Sequence, residues 1–117
     1  MERIVEQALL YDFYGELLTK HQKQIFEDHV LNDLSVSEIA AERGISRQGV
    51  HDMLKRCDKI LSDYEEKLKL IEKFLRTKEK VETINHLANS MKDGDETMKQ
   101  QCIGEIERVS RGILEDF

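Results

Sequence analysis

Residues 36–55, VSEIAAERGISRQGVHDMLK, constrain the fold more than any other stretch. Small and apolar side chains recur there where two short helices, crossing steeply over a tight turn, require them. Ala40 falls at the crossing, where only a small side chain fits. Gly44 falls in the turn, where a left-handed backbone costs glycine almost nothing. Ile39, Ile45, Val50 and Met53 are spaced to share one core. Ser37 is placed to cap the first helix and Ser46 the second, each hydroxyl accepting from an otherwise unpaired backbone N–H. The pattern is that of a helix-turn-helix.

With Val50, Met53 and Leu54 inward, the second helix turns Arg47, Gln48, His51, Asp52, Lys55 and Arg56 outward, and Lys59 continues that side. In nucleic-acid-binding proteins of this class the second helix lies in the major groove, with its first residues at base edges. Arg47 suits guanine and Gln48 adenine, each by two hydrogen bonds. Lys55 and Arg56 suit phosphates, which position without specifying. The candidate nucleic-acid-binding residues are therefore Ser46, Arg47, Gln48, His51, Lys55, Arg56 and Lys59. The competing reading is a merely solvated face. Asp52 in its middle repels phosphate, and Gly49 weakens the helix by roughly 1 kcal/mol relative to Ala.

Charge supports the first reading only modestly. Residues 35–61 carry a net +1, whereas 1–34 come to −4 and 62–117 to −3. The overall charge of −6 opposes a bulk nucleic-acid coat, whose affinity comes from counterion release. It equally opposes an anionic membrane surface. MERIVEQ is too charged to open a signal peptide, and no run reaches the roughly 18 apolar residues of a membrane span. Cys57 and Cys102 lack any CxxC partner and read as buried small hydrophobes in a reducing cytoplasm.

The remaining chain reads as all-α. An apolar face at Ile4, Val5, Ala8, Leu9, Tyr11, Phe13, Tyr14, Leu17 and Leu18 predicts a helix over 3–17. Thr19 caps a second helix reaching about Leu31. After Ser46 no stop signal occurs for about thirty residues. Val50, Cys57, Tyr64 and Ile71, with Leu54, Leu61, Leu68 and Leu75, form a seven-residue repeat that predicts one long helix with a narrow stripe. The repeat fails at Lys78, so Thr77 is expected to cap a further helix. KDGDE at 92–96 is a turn, with Asp95 or Thr97 capping the last helix. Two domains follow: a helix-turn-helix domain over 1–61, and a helical region over 62–117, continuous with the recognition helix. The latter is an antiparallel bundle or a dimerisation arm.

No catalytic pattern emerges. His21, His29, His51 and His86 form no HxxxH or Cys/His cluster, and there is no glycine-rich phosphate loop. The carboxylates lie among lysines on helical surfaces, where solvated pairing is their expected role. The expectation is a non-enzyme with no cofactor and no metal.

The stretches LYDFYGELLTKHQ at 10–22, LSVSEIAAERGISRQGVHDMLKR at 34–56 and DYEEKLKLIEKF at 63–74 resemble the YlxM family of small Firmicute and mycoplasma proteins. The helix-turn-helix is also similar to the fourth conserved region of bacterial sigma factors. The YlxM resemblance implies a regulator or accessory of the signal recognition particle pathway, because family genes tend to neighbour those of the particle's GTPase and its receptor. It implies no catalytic residue.

Two functional expectations result. The first is a cytoplasmic regulator binding DNA, or signal recognition particle RNA, through the basic helix. Sequence-specific DNA binding calls for a dimer with recognition helices about 34 Å apart, and the long helix is the candidate seam for a homodimer. The second is an acidic protein-interaction module docking the signal recognition particle GTPase or its receptor.

Overall fold

The computed structural model describes residues 2–117, and among them the regular structure is entirely helical. The order is α1 (Arg3–Tyr14), a single 3-10 turn (Gly15–Leu17), α2 (Lys20–Val30), α3 (Val36–Arg43), α4 (Arg47–Leu68), α5 (Leu70–Ser90) and α6 (Glu96–Glu115). Two compact units result, residues 1–71 and 72–117. The expected boundary at 61 falls inside α4.

In the first unit, the starts of α2, α3 and α4 are fixed by side chains. Thr19 and Gln22 form a reciprocal capping box at α2, as Ser35 and Glu38 do at α3. Ser37 was the expected cap of α3, but it lies inside the helix; Ser35 holds the role because Glu38, three residues on, returns to its N–H. Ser46 Oγ accepts from Gly49 N at 2.9 Å and starts α4 as expected. Gly44 ends α3 at φ +69°, and the amides of Gly44 and Ile45 both return to the Ala40 carbonyl.

Ile25, Ile39, Ala40 and Val50 form the buried centre, with Leu34, Val36, Ile45, Met53 and Leu54 packed around it. The expected helix-turn-helix core is therefore present, with Ile25 of α2 as its third wall. Two charged groups join it. Arg43 donates from Nε and Nη2 to buried Asp28 Oδ2 at 3.0 and 2.8 Å. Burying a lone carboxylate would cost several kcal/mol, so the guanidinium is what permits Asp28 to sit there.

The long helix is broken where the sequence predicted continuity. Lys69 adopts a left-handed conformation (φ 55°) and separates α4 from α5. The amides freed by the break are captured by side chains. Leu70 N–H donates to Tyr14 Oη at 3.3 Å, and Ile71 N–H to Glu65 Oε1 at 2.9 Å. The Tyr14 hydroxyl in turn donates to Glu65 Oε1 at 2.6 Å. Tyr14 is 1% exposed. A residue fifty-odd positions upstream thus supplies an acceptor that no local pattern announces.

The second unit corrects the expected cap at Thr77. That residue lies within α5, which runs uninterrupted to Ser90, and its Oγ1 is buried without a hydrogen-bond partner. Asp95 caps α6, accepting from Met98 N at 2.8 Å. Arg76 and Lys80 of α5 lie 3.6 and 3.3 Å from Asp116, and Lys80 also reaches the Gly112 carbonyl. These contacts join the start of α5 to the end of α6, so the two helices run antiparallel. Cys102 is buried, whereas Val81, Met98, Ile103 and Leu114 are exposed.

Candidate nucleic-acid interface

At 3.6 residues per turn, Arg47, Gln48, His51, Lys55, Arg56 and Lys59 fall on the face of α4 opposite Val50, Cys57 and Leu61. All six are exposed, and the three apolar residues are fully buried. The hydrophobic effect acting on one stripe therefore aims the other stripe at solvent. Ser46 has a different place: its hydroxyl is engaged as the N-cap. A Cβ on Gly49 would lie 3.1 Å from that oxygen, so glycine keeps the cap uncrowded.

The basic groups are not equally available. Arg47, Lys55 and Arg56 have no carboxylate within ion-pair distance among the described residues, whereas Lys59 reaches Asp63 at 3.1 Å. Such an exposed pair contributes little to stability, yet it offsets the charge of Lys59. Gln48 Nε2 donates to Asp52 Oδ1 at 2.8 Å. The side chain best suited to adenine is thus already bonded to the acid that interrupts the face.

Sequence reasoning missed Arg3 and Asp58. The Arg3 guanidinium bonds Asp58, and Gln7 Nε2 reaches the other carboxylate oxygen at 3.3 Å. Asp58 lies one turn beyond Lys55, so α1 brings a cation to the flank of the basic face. No local signal could reveal this, because the partners are 55 residues apart.

The two cysteines are free and buried. Burial pushes the Cys57 thiol up to about 11, against the smaller downward pull of Arg56. Cys57 is thus an unreactive core thiol. Burial, and then the hydrogen bond to Glu65, raises the Tyr14 hydroxyl to about 12. Burial and the Glu27 hydrogen bond raise Tyr11 likewise. Among the described residues no group of three or more His, Cys, Asp or Glu is placed to hold a metal ion, and no helix is long and apolar enough to cross a membrane.

A trihelical core with a capped, outward-facing second helix defines a helix-turn-helix protein. Residues 1–101 match the family described as "Putative helix-turn-helix protein, YlxM / p13 like". The chain belongs to this family, which is not an enzyme family. It is 53% identical over 77 residues to a UPF0122 protein of Caldanaerobacter subterraneus, covering 66% of each chain. It is 41% identical over 96 residues to the UPF0122 protein YlxM of Bacillus subtilis, covering 82% of this chain and 87% of that one. With a Bacillus cereus relative it shares 39% identity over 100 residues, 86% of this chain and 91% of the other.

Proposed function

We propose that this chain is a nucleic-acid-binding regulatory or accessory protein that docks through the outward face of α4. The observation carrying this reading is the set Arg47, Lys55 and Arg56, without a carboxylate at ion-pair distance among the described residues, on a helix whose opposite face is locked into a helix-turn-helix core. Arg47 and Gln48, in the first turn, are the base-reading pair. His51 and Lys59 extend the face, and Ser46 holds its start rigid. The ligand is DNA, or the structured RNA of the signal recognition particle. The setting in that pathway, and in the cytoplasm, rests on the family resemblance. The exposed Val81, Met98, Ile103 and Leu114 support a homodimer through the C-terminal helices, which sedimentation across a concentration series would detect.

The second reading keeps the fold as a scaffold that docks the signal recognition particle GTPase or its receptor. The net charge of −6 favours it, as does the carboxylate of Asp52 in the middle of the face.

A salt titration against duplex DNA, the particle RNA and the purified GTPase separates the two. Phosphate contact by about three cations predicts that log K falls with log salt at a slope near −2.7 on a duplex. Binding should be lost in the double variant Lys55→Glu/Arg56→Glu. Binding to the GTPase alone, indifferent to those substitutions, would make the protein an interaction module.

A further inference from the structure

Beside the basic face lies a groove of about 240 Å³ where α1, α2, α3 and α4 converge. Its cations are Arg3 and Lys55, its imidazoles His29 and His51, and its one acid Asp58. That acid is already engaged on both oxygens, by Arg3 and by Gln7. A guanidinium carries five N–H donors. One of the Arg3 donors serves Asp58, and the Arg3 side chain remains 70% exposed. Lys55 has no carboxylate within ion-pair distance among the described residues. The groove is therefore net cationic before either histidine takes a proton, in a chain that is strongly acidic overall.

His29 adds direction. Its Nδ1 lies 2.9 Å from the Leu34 carbonyl oxygen, which can only accept, so Nδ1 carries the hydrogen. Protonation at Nε2 would then turn the ring into a donor at both nitrogens. Val36 and Leu54 complete the lining with apolar surface. The volume falls below the roughly 300 Å³ at which drug-sized ligands begin, which suits a single small anionic group.

We propose that this groove binds a phosphate group, held by Arg3 and Lys55 with His51 beside them. The phosphate is either part of a nucleic-acid backbone or free. The site goes beyond the reading above, since one of its determinants, Arg3, lies outside α4 altogether, on α1.

The test titrates inorganic phosphate, and separately a duplex DNA, into the full chain while the histidine ring signals are followed by NMR. Phosphate should shift His51 and His29 saturably. Arg3→Gln should weaken binding about fivefold or more, through loss of a charge-assisted hydrogen bond. Asp58→Asn should tighten it about threefold or more, by removing the acid that lines the groove and releasing Arg3. A merely structural Arg3–Asp58 pair would not move the two variants in opposite directions. A duplex that competes with phosphate for the same signals identifies the backbone as the source. A duplex that binds without touching them identifies free phosphate. If phosphate titrates but the duplex does not bind, the groove stands and the nucleic-acid reading fails. No saturable phosphate response, or one indifferent to both substitutions, overturns the groove even where the duplex binds.

Discussion

Three buried groups show how single side chains set the stability of this molecule. Thr77 Oγ1 lies buried in α5 without a partner. Replacing Thr77 by Val keeps the shape and removes the desolvated hydroxyl. It should raise stability by about 1 kcal/mol, read from the urea midpoint at unchanged slope. Cys57 works through pH. Its thiol titrates near 9.0 when exposed and near 11 in the fold, and Tyr14 near 10.0 and 12. In both cases the unfolded chain gives up its proton first, so the native state holds more protons over that range and stability declines with pH. The contribution of these two groups should therefore be constant below about pH 9 and decline from there to about pH 12. Cys57→Ala should abolish the part of the fall that begins near 9. Alkylation at neutral pH should reach Cys57 only when the chain unfolds. Rapid labelling of the native protein would show that the thiol is accessible.

Among the elements, the break at Lys69 is the most instructive. The seven-residue repeat passes through it without a fault, and lysine is no turn residue, so local pattern argues for continuity. What decides is tertiary: Tyr14 and Glu65 supply partners for amides that a continuous helix would satisfy by itself. Tyr14→Phe should cost about 1–3 kcal/mol and speed amide exchange at Leu70 before it touches the helix-turn-helix core. Lys69→Gly should act oppositely, adding up to about 1 kcal/mol because glycine adopts the left-handed conformation without a Cβ penalty. Equal losses in both variants would show that the break is not held in this way. The helix-turn-helix, by contrast, was legible because its determinants are local: Gly44 in the turn, Ser46 at the cap, Ala40 at the crossing. Ser35 was legible too, since S-x-x-E stands at 35–38; the competing Ser37 lies two residues later without such a partner. The Arg43–Asp28 and Arg3–Asp58 pairs were not, because each joins residues from different helices far apart in sequence.

For the whole molecule, the outward face of α4 was legible as a set of residues but not as a set of partners. Periodicity placed Arg47, Gln48, His51, Lys55, Arg56 and Lys59 together; only the structure shows that Gln48 and Lys59 are engaged by Asp52 and Asp63. The net charge of −6 disfavours non-specific contact with a polyanion, so on the proposed reading charge favours docking through the basic face even where it weakens affinity. The Gln48–Asp52 bond has a consequence of its own. Asp52 offers Gln48 an acceptor in advance, and on the proposed reading it is an internal rival to any base that Gln48 contacts. Asp52→Ala should accordingly raise affinity for every duplex by removing a repelling charge, and most for the favoured sequence by freeing Gln48, measured by parallel titrations. The wild-type chain would then be a reluctant reader, giving up tightness and part of its discrimination because Gln48 stays held until a base displaces Asp52.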